Sequence, residues 1–317
     1  MKKENSVIKL IVVILSLLLV LLLILVLVCN LLKKDEKGQV GGLQGIGKGD
    51  QTQILEVDVT GTLGEIKDGL NINKGTIEGV SVIEYFDTTT GTEDKPVVIL
   101  LHGLFGQKEM YEFMSTVLAQ EGYLVITPDA RLHGERKEET SMWISQIAIE
   151  SSKDLDLVMD YYADLELADM DRVCMVGFSL GGLMTYQYLI NGEHPVKAAV
   201  VAYSTPDWKN LEEESALYCT YNGEYVAPVY GEERARLQEY VTDHSPYDEV
   251  VKLKDISLGL VNGGKDDVFS YTGSERLYEE LLAAGADVSY CFREDVGHEF
   301  TDDDVWLTLF FIEEKLK

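Results

Sequence analysis

The chain has 317 residues, of which 46% are hydrophobic, and its 55 acidic residues against 27 basic ones give a formal charge of −28. That length suffices for one large α/β domain with additions. So acidic a surface, with a sequence pI near 4.4, argues against nucleic acid as a partner and repels anionic molecules at low salt. There is no Cys-x-x-Cys or His-x-x-x-His spacing for a metal and no Gly-x-x-x-x-Gly-Lys phosphate loop, so neither metal nor cofactor is expected.

Residues 1–6 form a short tail, basic at Lys2 and Lys3. From Leu10 to Cys29 the chain is apolar except for Ser16. Twenty helical residues at 1.5 Å each span about 30 Å, the thickness of a bilayer core. Residues 7–32 are therefore predicted to be an uncleaved transmembrane signal-anchor helix. The apolar core is longer than that of a cleavable signal peptide, and Leu27-Val28-Cys29 offers no small-x-small exit. Cleavage, or acylation of Cys29 as in a lipoprotein, remains the alternative, although Val28 is larger than the residue that usually precedes such a cysteine. Lys2, Lys3 and Lys9 precede the core while Lys33, Lys34 and Lys37 follow it, so charge bias does not set the orientation. Short tails before a first apolar helix usually stay inside. The expectation is thus a single-pass protein of the cell membrane with its main domain outside the cytoplasm. Residues 33–53 are charged and then glycine-rich, which reads as a flexible tether.

The main domain is assigned to 54–317. Alternating apolar residues predict strands at 54–59 and 80–86. Thereafter apolar strands alternate with helices: strands at 96–101, 123–128, 173–176, 196–202, 256–261 and 288–292, and helices at 109–120, 145–162, 274–284 and 302–316. Continuous apolar strands separated by helices mean a mostly parallel sheet covered on both faces. In such sheets sites form at the carboxyl ends of the strands, and His102, Ser179, Asp266 and His298 all fall just past predicted strand ends.

The most informative stretch is Val173-Cys174-Met175-Val176-Gly177-Phe178-Ser179-Leu180-Gly181-Gly182. A buried strand runs into Gly-x-Ser-x-Gly and then into an apolar helix that stops at Asn191-Gly192. A serine at so sharp a turn is held in an unfavourable backbone region with its hydroxyl clear of the sheet. Side chains at 177 and 181 would collide where the helix folds back on the strand. Ser179 is the candidate nucleophile. A serine hydroxyl needs a base to take its proton. His298, after the last strand, is suited to that task because imidazole titrates near working pH. Asp266, in Asn262-Gly263-Gly264-Lys265-Asp266-Asp267, would hold the imidazole tautomer. Counting from Gly263 selects Asp266; counting from Gly264 would select Asp267.

These residues, with Leu101-His102-Gly103-Leu104-Phe105-Gly106 and Pro128-Asp129-Ala130-Arg131-Leu132-His133-Gly134, resemble the α/β-hydrolases, and among them bacterial serine esterases of the dienelactone-hydrolase and prolyl-oligopeptidase-like branch, over about residues 76–317. The resemblance implies a triad of Ser179, Asp266 and His298 in that chain order. It implies an oxyanion hole from the backbone N–H groups of Leu180 and Leu104. The side chain of His102 is read as structural, that of His133 as loop packing, and His194 and His244 as surface or lid residues.

Residues 205–254 lie between two core strands, where this family inserts caps, and hold Trp208, Tyr218, Tyr221, Tyr225, Tyr230, Tyr240 and Tyr247 among many acids, with a helix predicted at 232–241. A lid lining the substrate pocket and a solvated insert with aromatic packing are both consistent with this content. Cys29 and Cys174 lie in apolar segments, while Cys219 and Cys291 pair only if the fold brings them together. The resulting expectation is a membrane-tethered, metal-independent serine hydrolase for small or lipid-like carboxylic esters. A peptidase, amidase or lipid or thioester hydrolase on the same triad, and a non-catalytic binding module, are the alternatives; the oligomeric state is not legible.

Overall fold

The computed structural model describes residues 69–211 and 215–317. The predicted anchor helix, the tether and the strand at 54–59 lie outside these residues. Among the described residues no helix is long and apolar enough to cross a membrane.

In chain order the strands are β1 (Leu70–Ile77), β2 (Val80–Asp87), β3 (Lys95–Leu101), β4 (Leu124–Pro128), β5 (Met142–Trp143), β6 (Ala168–Phe178), β7 (Ala198–Ala202), β8 (Cys219–Tyr221), β9 (Val226–Pro228), β10 (Ser257–Gly263) and β11 (Val288–Arg293). The helices are α1 (Glu112–Gln120), α2 (Ile144–Ala163), α3 (Leu180–Asn191), α4 (Gly231–Asp243), α5 (Thr272–Ala283) and α6 (Asp302–Leu316). Eight strands form one sheet in the order β1-β2-β4-β3-β6-β7-β10-β11. Only β2 runs against its neighbours; the other pairs are parallel. The mostly parallel sheet is as expected; its antiparallel start is not read from the sequence.

The two sides of the sheet follow directly from the period-two direction of side chains along a strand. In β3, Val97, Ile99 and Leu101 join a core with α2, α3 and α5 residues such as Leu155, Leu183 and Leu277. The intervening Val98 and Leu100 join a second core with Met114 and Leu118 of α1 and Ile312 of α6. Helices therefore cover both faces, and the continuous apolar strands are explained.

Several elements differ from the sequence reading. β1 was not anticipated; it pairs with β2 through a two-residue turn at Glu78 and Gly79, both with positive φ (47° and 86°), as a right-twisted hairpin requires. The strand expected at 173–176 begins at Ala168. Its pairing with β3 jumps from Pro96↔Asp169 to Val97↔Val173, so residues 170–172 bulge out of register. The helix expected from 109 opens as a tight 3-10 turn over Lys108–Tyr111 before α1 proper.

The stretch 205–254 contains β8, β9, α4 and a 3-10 segment, Pro246–Asp255. With β5, which precedes α2, the strands β8 and β9 make a separate three-stranded sheet. The cap is therefore stitched to the body by Met142↔Tyr221 and Trp143↔Thr220. Its aromatic residues divide: Trp208, Tyr218 and Tyr221 are buried, whereas Tyr225 and Tyr230 are exposed. Cys219, in the cap sheet, and Cys291, in the edge strand β11, are both free. They pack against cores on opposite faces of the large sheet, which rules out the pairing considered from sequence.

Candidate active site

The turn between β6 and α3 is as tight as its glycines suggest. A Cβ at Gly177 would collide with the carbonyl of Gly181, one at Gly181 with the carbonyl of Leu101, and one at Gly182 with Ser204. Helix α3 thus lies directly on the strand ends, and only hydrogen fits between them. Ser179 at the apex has φ 54° and ψ −113°, a region that disfavours a side-chain-bearing residue by roughly 1–3 kcal/mol. It is held there by its N–H, which donates to the Ala202 carbonyl at 3.0 Å, and by its own carbonyl, which accepts from Leu183 N–H at 3.1 Å.

Three loop ends meet at this apex. His298 Nε2 is 2.8 Å from Ser179 Oγ, and His298 Nδ1 is 2.9 Å from Asp266 Oδ2. The other oxygen of Asp266 accepts N–H bonds from Val268 at 2.8 Å and Phe269 at 2.9 Å. Its carboxylate is fully enclosed, so these three bonds replace the water it gives up. An acceptor at Nδ1 keeps the proton there and leaves Nε2 free to accept from the serine hydroxyl. Asp267, the alternative acid, is exposed. The aspartate loop and the histidine loop touch closely. A Cβ at Gly263 would strike the carbonyls of Val296 and Gly297, and Lys265 N–H donates to Val296 O at 2.9 Å.

The imidazole is also packed between aromatic rings that no local motif foreshadows. Its ring lies against Phe178 (centroids 5.3 Å) and Phe269 (5.7 Å), each the neighbour, or near neighbour, of a member of the constellation. The loop that carries it is closed at its base. Arg293, at the end of β11, donates to Asp304 Oδ1 at 2.8 Å. Asp304 Oδ2 accepts from Tyr203 Oη at 2.9 Å and from Thr301 N–H and hydroxyl. Thr301 followed three residues later by Asp304 is a helix-capping spacing, a local signal for the cap but not for the bonds of Asp304 to Arg293 and Tyr203.

The two backbone donors anticipated for an oxyanion are positioned as follows. Leu180 is the first residue of α3, where an N–H has no carbonyl four residues back and the helix dipole is positive. On the other side, a Cβ at Gly103 would lie 3.4 Å from Ser179 Cβ and 2.8 Å from the Phe178 ring, so the Gly103–Leu104 peptide runs beside the nucleophile. Its carbonyl accepts from Gly106 N–H at 3.0 Å and from His102 Nδ1 at 2.8 Å. In a trans peptide the N–H points opposite to the carbonyl, so Leu104 N–H is directed away from His102. The His102 tautomer is fixed because its Nε2 accepts from Ala130 N–H at 3.1 Å. Burial lowers its pKa and keeps it neutral. His102 is thus a structural tie between two loops, as read from sequence.

His133 is buried, stacked on Tyr221 with centroids 4.5 Å apart, and hydrogen-bonded through Nδ1 to Arg131 O; burial pushes its pKa down to about 4. His194 contacts Asp160, and His244 bonds to Tyr240 O and stacks on that ring. None of these three bonds to the Ser179 group.

Near His102 sits an ion pair that the sequence does not single out. Lys108 and Asp129 are both buried, with Nζ 2.8 Å from Oδ2. Asp129 also accepts from the backbone N–H groups of Lys108 and Glu135, joining the segment after β3 to the segment after β4. Asp129→Asn is expected to destabilise the fold by about 3 kcal/mol, because it leaves an ammonium buried with its main partner neutralised. Urea unfolding of the two proteins measures this.

A strained serine at a strand–turn–helix, an imidazole bridging it to a buried carboxylate, and this strand order define an α/β-hydrolase. The chain belongs to the prolyl oligopeptidase family, whose model matches residues 109–308, well over half of the sequence. It is 24% identical over 220 residues to YitV of Bacillus subtilis (strain 168), covering 67% of this chain and 84% of that protein, whose esterase name is itself provisional. It is 23% identical over 257 residues to esterase YjfP of Escherichia coli (strain K12), covering 76% of this chain and 98% of that protein. Among solved structures it shares its fold with acylaminoacyl peptidase of Pyrococcus horikoshii. There the TM-score is 0.61 at 20% identity, over 78% of this chain and 42% of that one.

Proposed function

We propose that the protein is a serine hydrolase of carboxylic esters that works through an acyl-enzyme on Ser179. The observation that carries this reading is the single imidazole of His298 in hydrogen-bond reach of both Ser179 and Asp266. In the first half-reaction His298 Nε2 takes the hydroxyl proton as Ser179 Oγ bonds to the ester carbonyl carbon. The carbonyl oxygen, now an anion, is met by the N–H groups of Leu180 and Leu104. The C–O bond to the alcohol then breaks, and the imidazolium returns the proton to the departing oxygen. In the second half water replaces the alcohol, the same base takes its proton, and the acid leaves with Ser179 restored. Asp266 holds the imidazole orientation and stabilises its charged form throughout.

Esters are favoured over peptides by the likeness to esterase YjfP along almost the whole of that protein. The family match to prolyl oligopeptidases keeps amide substrates as the second reading. The formal charge of −28 favours neutral or cationic substrates, and the aromatic cap favours an apolar part. The apolar run 7–32 would tether the domain to the cell membrane, with the active site outside the cytoplasm, and lipid-like esters would then be within reach. Fluorophosphonate labelling of the purified protein, followed by rates on short- and long-chain 4-nitrophenyl esters and aminoacyl 4-nitroanilides, tests the chemistry. Labelling at Ser179 with ester rates far above amide rates is expected; the reverse ranking would favour the peptidase reading. Deletion of residues 1–50 is expected to release the protein from membranes with its esterase rate unchanged. A truncated protein without a cooperative melt would place the domain boundary elsewhere.

A further inference from the structure

We propose that Tyr221, in the cap, is a positioning residue for the oxyanion-binding turn 103–106 and acts on it through Phe105. The proposal rests on the reading of Ser179 as nucleophile.

The turn needs outside support. Gly106 N–H closes it onto Gly103 O, and the third position is Phe105 at φ 63°. Glycine adopts that conformation freely, whereas a bulky side chain seldom does. The body of the protein does not enclose the Phe105 side chain, which is 61% exposed. Instead its ring meets Tyr221 edge to face, with centroids 5.4 Å apart and planes at 88°, the preferred arrangement for an aromatic pair.

Tyr221 is itself firmly held. It ends β8, paired with Met142 on one side and Val226 on the other. Its ring stacks on His133 at 27°. The His133 ring lies 5.1 Å from that of His102, and His102 donates to Gly103 O. The contacts form a closed circuit: from the turn through Phe105, Tyr221, His133 and His102, back to the carbonyl of the same turn. One arm fixes the plane of the Gly103–Leu104 peptide; the other fixes the strained residue that follows it. The cap strand thereby helps aim the Leu104 N–H at the developing oxyanion, and the charge stabilisation depends on that aim.

The test uses the full-length protein and the variants Tyr221→Ala, Tyr221→Phe, Phe105→Gly and the Tyr221→Ala/Phe105→Gly pair, each checked for a cooperative melt. Fluorophosphonate labelling of the unmodified protein at Ser179 comes first; its absence refutes the nucleophile reading and the proposal with it. Given labelling, Tyr221→Ala is expected to lower kcat on 4-nitrophenyl acetate about 10- to 100-fold with KM changed less than threefold. Affinity for a trifluoromethyl ketone, which places an oxyanion in the same site, is expected to fall in parallel. Tyr221→Phe retains the ring and is expected to stay within threefold of native in kcat. Phe105→Gly keeps the turn's φ but removes the ring, so it is expected to match Tyr221→Ala, and the double variant to be no worse than either single one. Unchanged kcat, an effect confined to KM, or additive losses in the double variant would overturn the proposal. Should Tyr221→Ala not fold, Phe105→Gly with the ketone affinity decides alone: an unchanged affinity overturns it.

Discussion

Ser179→Ala is expected to lower kcat for ester hydrolysis by about 10⁵- to 10⁶-fold, the loss seen when the nucleophile of a serine hydrolase is removed. Only Oγ is deleted. The backbone bonds that hold residue 179, from its N–H to Ala202 O and from Leu183 N–H to its carbonyl, are untouched, and alanine meets the same positive-φ strain as serine. The melting temperature should therefore stay close to native, and fluorophosphonate labelling should vanish. Residual rate well above the water background in a folded variant would move the nucleophile elsewhere.

Asp266→Asn is expected to cut kcat by about 10⁴-fold, by analogy with loss of the orienting acid in a serine protease. The amide keeps the shape of the carboxylate and can still accept the N–H bonds of Val268 and Phe269. Its NH₂ group, facing Nδ1, would stabilise the tautomer with the proton on Nε2, which cannot accept from Ser179. Asp267→Asn, on the exposed neighbour, should remain within a few-fold of native. Initial rates of the two variants on one ester decide between the two registers of the Gly263-Gly264 turn. A loss at Asp267 without one at Asp266 would reverse the assignment.

Most of what positions this site was legible because it rests on local chemistry. Gly177, Ser179 and Gly181 announce a turn that nothing else needs, and apolar strands such as 96–101 announce burial on both faces. What escaped depends on partners far along the chain. β1 reads Leu-Asn-Ile-Asn-Lys-Gly-Thr-Ile; its asparagines and glycine hide a strand that exists because β2 pairs with all of it. β5, β8 and β9 have two or three residues each, too few for any periodicity, and become a sheet only when residues 142 and 221 meet. The Lys108–Asp129 pair and the Arg293–Asp304–Tyr203 clasp join side chains whose separations no local rule connects. The aromatic packing around His298 was hidden for the same reason: Phe178 and Phe269 read from sequence only as apolar neighbours of polar residues.

Ser179 and His298 are 119 residues apart, and Asp266 and His298 are 32 apart. Their geometry rests on the adjacent parallel pairings β6–β7–β10–β11. Such non-local pairings are the slow events of folding, because the intervening loops must close before any contact rewards them. A refolding chain can form its helices from local contacts, but it cannot bring Ser179, Asp266 and His298 together until these pairings are made. With these three as the triad, activity regained on refolding is expected to report the docking of the strands that carry them rather than the gain of secondary structure.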